Sequence, residues 1–190
     1  DFIAEWHNDC DYIVAHTSGS TGTPKEIHLS KRLVRDSALR TIEFFSLSES
    51  SHLHLCLSPD YIAGKMMIVR SLLSGATLTD ELPSNTPLSS IKGGVIDLLA
   101  VVPSQLIDLL DNPKDYVIRN LIIGGSAIPA DLRLRVANSG LNAYETYGMT
   151  ETASHVALRK IRQESDLPYF ALPGIKFTKD KRDCLVIHMN

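Results

Sequence analysis

The sequence predicts an α/β protein, a layered sheet with helices on its faces. Three observations carry that prediction. Strand-like and helix-like apolar patterns alternate along most of the chain. One segment, Asp97-Leu98-Leu99-Ala100-Val101-Val102, is continuously apolar after its aspartate, as in a strand buried on both faces of a parallel sheet. Ser, Pro and Gly stand where helices would start and stop.

Taken in order, Tyr12-Ile13-Val14-Ala15 is a strand that runs into the polar, glycine-containing stretch 16–25. Glu26-Ile27-His28-Leu29 alternates as the next strand. Ser30 caps a helix whose apolar residues Leu33, Val34, Ala38, Leu39, Ile42 and Phe45 recur at helical spacing to about Leu47. Residues 51–57 alternate again, with His52 and His54 on one face. No third metal ligand is nearby, so exposed or hydrogen-bonded histidines are expected there.

Ser58-Pro59-Asp60-Tyr61 is a turn, residues 62–73 form a buried helix stopped by Ser74-Gly75, and 76–79 a short strand. Residues 80–90, with Pro83 and Pro87, are a surface loop. The strand ending at Val102 leads, at Pro103-Ser104-Gln105, into a helix through Leu110. The unit repeats: residues 117–123 form a second buried strand ending in Gly124-Gly125-Ser126, and a helix runs from Pro129 through Ala137 to a stop at Gly140. Beyond Pro168, Pro173-Gly174 is a turn, and residues 175–178 and 184–189 are short strands around the charged tip 179–183.

Bulk properties narrow the partners. With 19 basic and 22 acidic residues the net charge is -3, which supplies no field for nucleic acid or an anionic membrane; a phosphate site must be local. No stretch approaches the ~20 apolar residues of a spanning helix, and Asp1-Phe2-Ile3-Ala4-Glu5-Trp6 is no leader. Cys10, Cys56 and Cys184 are odd in number and far apart, as in a reducing compartment, and are expected to be buried filler. A cytoplasmic protein without a membrane span is the expectation.

Two stretches carry chemistry. In His16-Thr17-Ser18-Gly19-Ser20-Thr21-Gly22-Thr23-Pro24-Lys25, glycines let backbone N–H groups turn toward an anion, hydroxyls donate, and the lysine adds a charge. The competing reading is a solvated linker, but linkers seldom end in Pro-Lys and resume as a strand. The loop is not the common nucleoside triphosphatase one, which needs Gly-Lys-Ser/Thr opening a helix. The second stretch, residues 144–152, puts Tyr147, Gly148, Thr150 and Glu151 in one turn, suited to stacking on a base, bonding a phosphate and holding Mg²⁺. Read alone, it is as well a capped helix start. Lys65, beside Gly64 in an otherwise apolar helix, could pair with a substrate carboxylate or snorkel to solvent.

In kind and order these patches resemble the AMP-forming acyl ligase (adenylate-forming) superfamily, whose phosphate loop runs Thr-Ser-Gly-Ser/Thr-Thr-Gly-x-Pro-Lys-Gly. Glu26 stands for the last glycine. Gly124-Gly125 resembles the Gly-Gly element at its adenine pocket, and Tyr147-Gly148-Met149-Thr150-Glu151 its Tyr-Gly-x-Thr-Glu motif. Val102-Pro103-Ser104-Gln105-Leu106, the segment 121–129 and the segment 147–156 look like the 2-succinylbenzoate-CoA ligase branch, although Asp60-Tyr61 replaces a usual Phe-His pair. The resemblance covers residues 12 to about 178.

Carried over residue by residue, the resemblance implies that Thr17, Ser18, Gly19, Ser20, Thr21, Gly22 and Lys25 hold the ATP β- and γ-phosphates. Gly124, Gly125, Ser126, Tyr147 and Gly148 would surround adenine, Thr150 would meet the α-phosphate, and Glu151 would bind Mg²⁺. Tyr61 falls at the wall of the acid site, and Lys65 joins it there on the charge argument above rather than on the resemblance. It implies ATP-dependent activation of a carboxylic acid, 2-succinylbenzoate, to an acyl-adenylate, then transfer to CoA. A ligase for another aryl or fatty acid, or a non-catalytic nucleotide- or acyl-binding module, are the alternatives. Residues 1–178 would be part of the large N-terminal, AMP-binding domain of an acyl-CoA synthetase-like fold, and 179–190 the start of a β-rich subdomain. The superfamily's adenylating lysine is not found after Thr178, so the chain is expected to be a fragment that does not turn over alone. Members are often homodimers; nucleic acid is not an expected partner.

Overall fold

The computed structural model describes residues 1–17, 25–112, 115–163 and 167–189. Helix α1 (Phe2–His7), which the sequence patterns did not mark, is capped by the Asp1 carboxylate, which accepts from the Ile3 N–H at 3.0 Å. Strands β1 (Tyr12–His16) and β2 (Glu26–Ser30) pair antiparallel as a separate ribbon on either side of the expected phosphate loop. Helix α2 (Lys31–Phe45) starts where the Ser30 hydroxyl accepts from the Leu33 N–H.

Strand β3 (His52–Leu55), helix α3 (Ile62–Ser74) and strand β4 (Thr77–Asp80) form one parallel unit, α3 ending at Gly75 with φ +74°. Then come β5 (Gly94–Ile96), β6 (Leu98–Val101), α4 (Pro103–Asp111), β7 (Tyr116–Ile118), β8 (Leu121–Ile123), α5 (Ala130–Asn138) and β9 (Ala143–Met149). A single 3-10 turn, Thr150–Thr152, precedes β10 (Ser154–Lys160), β11 (Phe170–Ala171), β12 (Ile175–Lys179) and β13 (Leu185–Met189).

The central sheet has the order β11-β10-β9-β8-β6-β3-β4. From β4 to β9 neighbours are parallel; β10 and β11 add antiparallel. The expected α/β layered class is the observed one. Alternation along β6 shows why its sequence is apolar throughout. Leu98 and Ala100 enter a core with Val34 and Ala38 of α2 and Met66 and Val69 of α3. Leu99 and Val101 enter a second core with Leu106 of α4 and Val136 of α5. From β3 the chain steps outward to β4, then returns to β6 on the other side. That reversal opens a crevice at the carboxyl ends of β3 and β6, where α/β sheets bind ligands.

Several expectations are corrected. The single strand over 117–123 is two, because Arg119 and Asn120 cannot enter a sheet buried on both faces. Arg119 donates to the Asp97 carboxylate at 2.7 Å and Asn120 to the Asp97 carbonyl at 2.8 Å, and β7 pairs with β5 outside the main sheet, leaving Val117 59% exposed. Loop 80–90 is not all surface: Leu88 is fully buried, and Glu81 accepts from the Ser89 hydroxyl and the Ser90 N–H, folding the loop inward. Residues 144–149 are strand, paired with a β10 that the patterns did not mark.

The histidine expectation holds in its hydrogen-bonded form. His52 and His54 both bond the Thr79 hydroxyl, His54 fully buried. No cluster of three metal-ligating side chains occurs among the described residues. Cys56 is buried, but Cys10 and Cys184 are exposed, contrary to the filler reading. The expected boundary at 178/179 falls inside β12, whose hairpin with β13 runs across it. No helix of the described residues is long and apolar enough to cross a membrane.

Candidate active site

A cavity of about 1240 Å³ extends from the crevice between β3 and β6 along the carboxyl ends of β8 and β9, with the start of α3 as its far wall. Each wall is built by a local device. At the base of the phosphate loop, the Thr17 N–H donates to the Lys25 carbonyl and the Lys25 N–H to the Thr17 hydroxyl, both at 3.0 Å. These bonds clamp the two ends of the loop together, and both residues line the cavity. Ser18, Gly19, Ser20, Thr21 and Gly22 lie outside the described residues. His16 forms a parallel bridge with Tyr61, which brings the loop base beside the cap of α3. Tyr61 lines the cavity as well.

Gly124, Gly125 and Ser126 follow β8 and line the cavity. A Cβ on Gly124 would stand 2.4 Å from Thr146 Oγ1, and Gly125 has φ +86°, so any side chain here would block the close approach or strain the turn. Gly148 also lines it; its Cβ would meet the Ser154 carbonyl oxygen at 2.3 Å. Thr152 closes the following turn, its hydroxyl accepting from the Met149 N–H at 3.0 Å and donating to the Ser154 carbonyl at 2.7 Å. Thr150 and Glu151 thereby border the cavity, and among the described residues neither the Glu151 carboxylate nor the Lys25 ammonium has a hydrogen-bond or ion-pair partner.

Two expected site residues are not in the wall. Successive side chains of a strand point to opposite faces. Because Thr146 and Gly148 face the cavity, Tyr147 faces away, packing on Tyr169 and Phe177 at ring separations of 5.8 and 6.2 Å. Lys65 is buried, but its ammonium lies 3.3 Å from Glu5 Oε2 and 4.4 Å over the Phe2 ring. Helix α1 holds it, and it is absent from the cavity lining.

Sequence reasoning missed Arg70, Thr146, Ser154 and His155, all of which line the cavity. Arg70 follows Lys65 by five residues, about 140° around the helix, and so faces the opposite side. It is fully buried; Nη2 donates to Ser154 Oγ at 3.4 Å, Nη1 to the Met67 sulfur at 3.6 Å, and Nε has no partner among the described residues. Burial pushes its guanidinium down to about 9. The signal for it was present: an arginine within Met66-Met67-Ile68-Val69-Arg70, inside a helix apolar enough to be buried. His155 beside it is buried and held well below the usual imidazole range by desolvation first and by the Arg70 charge second, so it is neutral. The arrangement combines a clamped loop base, an uncommitted carboxylate and a buried cation without an anion, which suits a phosphorylated ligand together with an acid.

Known proteins share this frame. Over 144 residues the chain is 27% identical to a 2-succinylbenzoate–CoA ligase of Lactococcus lactis, covering 75% of this chain and 32% of that relative. The chain thus spans about a third of the length of this curated relative. An acyl-CoA synthetase (AMP-forming)/AMP-acid ligase II-like protein of Dyadobacter fermentans superposes with a TM-score of 0.86 at 34% identity, over 98% of this chain and 55% of that one. The O-succinylbenzoate coenzyme A synthetase of Bacillus subtilis, solved in complex with ATP and magnesium ion, shares the fold with a TM-score of 0.75 at 20% identity, over 91% of this chain and 38% of its own. The model of the AMP-binding enzyme family matches residues 4–177, and the chain belongs to that family.

Proposed function

We propose that the protein takes part in ATP-dependent activation of 2-succinylbenzoate, a dicarboxylate, and its transfer to CoA, with the described residues forming part of the large nucleotide-binding domain. The observation that carries the choice of acid is Arg70. Among the described residues this buried guanidinium meets only a thioether and a hydroxyl, and its Nε has no partner, which leaves its desolvation uncompensated. A second carboxylate on the substrate supplies the missing anion, in bidentate geometry. A fatty or monocarboxylic aryl acid would leave that charge unpaired.

The residues present fit the nucleotide. The clamp at Thr17 and Lys25, the side-chain-free approach at Gly124 and Gly148, and the uncommitted Lys25 and Glu151 side chains match a ligand with charged phosphates and a flat base. Lys25 meets the β- and γ-phosphates, Thr150 the α-phosphate. Gly124, Gly125 and Ser126 border the base, with Thr146 rather than Tyr147 on the cavity side of β9. Glu151 would hold Mg²⁺, which supplies charge neutralisation on phosphate oxygens when bound. The substrate carboxylate is already ionised at neutral pH and attacks the α-phosphorus. The bond to the β-phosphate oxygen breaks and pyrophosphate leaves with the electron pair. The CoA thiolate then attacks the acyl carbon and AMP departs.

The test is equilibrium binding of three sulfamoyladenosine mimics of an acyl-adenylate: the 2-succinylbenzoyl one with its free carboxylate, the same with that carboxylate as a methyl ester, and a fatty-acyl one. The free acid is expected to bind about tenfold tighter or more. Equal affinities, or tighter binding of a fatty-acyl mimic, overturn the choice of acid; failure of all three to bind overturns the nucleotide site.

A further inference from the structure

A chain of hydrogen bonds lies behind Arg70. The Thr41 hydroxyl of α2 has two acceptors in reach, the Ser37 carbonyl at 3.3 Å and His155 Nε2 at 3.1 Å. When it donates to the carbonyl, within its own helix, Thr41 Oγ1 accepts from His155 Nε2, which then carries hydrogen. A neutral imidazole with hydrogen on Nε2 has a lone pair on Nδ1, and that atom faces Ser154 Oγ at 3.4 Å. Ser154 then donates to His155 and keeps its lone pairs for the Arg70 guanidinium, 3.4 Å away.

The scaffold under this relay is rigid. Ser37, one turn before Thr41, donates to the Ala153 carbonyl at 2.7 Å. Ala153 and Ser154 both have positive φ, 50° and 91°, a conformation that non-glycine residues hold only when their surroundings impose it. Helix α2 thus grips the turn that aims both Glu151 and Ser154, through residues more than a hundred positions away.

We infer that His155, set in its Nε2–H tautomer by Thr41, is a positioning residue that fixes the cavity's preference for a second carboxylate by orienting Ser154 and, through it, Arg70. In the opposite tautomer Nδ1 is a donor, so Ser154 accepts from both Nδ1 and Arg70 on its two lone pairs and its own proton loses the His155 acceptor. The hydroxyl must then turn to place that proton elsewhere, and its aim at Arg70 is no longer set by His155. The inference rests on the reading of Arg70 as the seat of the second carboxylate.

Two measurements test it. In the unsubstituted chain with ¹⁵N-histidine, a long-range correlation spectrum of the seven imidazoles should show that of His155, assigned by its loss in a variant, as neutral with hydrogen on Nε2. This signal is expected to vanish in His155→Gln and to shift in Ser154→Ala. An Nδ1–H tautomer or an imidazolium at His155 at neutral pH overturns the inference whatever the variants do. In binding, Thr41→Val is expected to cut the free-acid over methyl-ester preference about tenfold while ester affinity stays put, and Thr41→Ser, which keeps the hydroxyl, to retain the preference. If the unsubstituted chain prefers the free acid and Thr41→Val prefers it equally, the relay is wrong and the function stands. If the unsubstituted chain shows no preference, the function reading itself falls and takes the relay's role in specificity with it.

Discussion

Helix α3 carries two buried cations on opposite sides, and they differ in what answers their charge. Toward α1, Lys65 has a carboxylate at 3.3 Å and an aromatic face at 4.4 Å. Toward the cavity, Arg70 has a sulfur and a hydroxyl, and its Nε has no partner among the described residues. Lys65 belongs to the fold: its pairing ties α1 to the layered sheet through Glu5, which also accepts from the Val14 N–H of β1. Arg70 works against the fold, since an unpaired buried charge costs several kcal/mol. The difference teaches that a buried charge is informative by its partners rather than its depth, and that the uncompensated one is where the proposed second carboxylate would bind.

The largest effect that would break this contrast is on binding. Arg70→Met is expected to weaken the free-acid mimic about a hundredfold while leaving the ester mimic nearly unchanged. The same substitution should raise unfolding stability in urea by about 1 kcal/mol or more, because a desolvated charge is removed. Lys65→Met should do the reverse, sparing both affinities and lowering stability. An Arg70→Met protein that is less stable than its parent would erase the distinction.

Next in size is Gly64→Ala. The new Cβ would fall 2.2 Å from the Ser58 carbonyl oxygen, a backbone atom that cannot yield cheaply, so α3 must back away from its seat. A loss of about 2–3 kcal/mol is expected by thermal or urea unfolding, with weaker free-acid binding as Arg70 shifts with the helix. Glu5→Gln isolates the Lys65 side. The amide oxygen can still accept from Val14, so the loss reflects the missing charge, about 1–2 kcal/mol given that Glu5 is partly solvated, and no change in either affinity is expected.

The smallest effect is in acid. His155 has its folded pKa depressed, so the unfolded chain takes up a proton first as pH falls. Stability from this group is complete above an unfolded value of about 6.5 and is lost progressively below it, by at most about 1.4 kcal/mol per pH unit. His54, also depressed by burial, adds a loss of the same sign. Since the Arg70 charge is the second cause of the His155 shift, Arg70→Met should make the decline end at a higher pH, read from urea midpoints. An unchanged end point would mean that burial alone holds His155 neutral.

Much of the fold is legible in the sequence. Ser30 starts α2 and Gly75 ends α3 because capping and left-handed backbone are properties of one or two residues. The apolar run through Val101 announced a strand buried on both faces, and its alternate residues indeed feed two cores. The break at Arg119-Asn120 was hidden, since only the Asp97 carboxylate and carbonyl, some twenty residues away, give those polar groups a reason to leave the sheet.

The candidate site divides along the same line. Its loops and glycines could be named from the chain because an anion-binding turn needs glycine and hydroxyls in local order, and Thr17, Lys25, Gly124, Gly125, Ser126, Gly148, Thr150 and Glu151 do meet at one cavity. Which side chains enter that cavity was decided by tertiary structure. Strand β9 has a phase, set by its register with β8 and β10, that sends Thr146 inward and Tyr147 out. Helix α3 has a rotation, set by the contact of Gly64 with the Ser58 turn, that gives Lys65 to Glu5 and Arg70 to the cavity. Sequence determined the elements and their chemistry because propensity and capping act within a few residues. Only packing decided the faces, because phase and rotation are fixed by atoms distant along the chain.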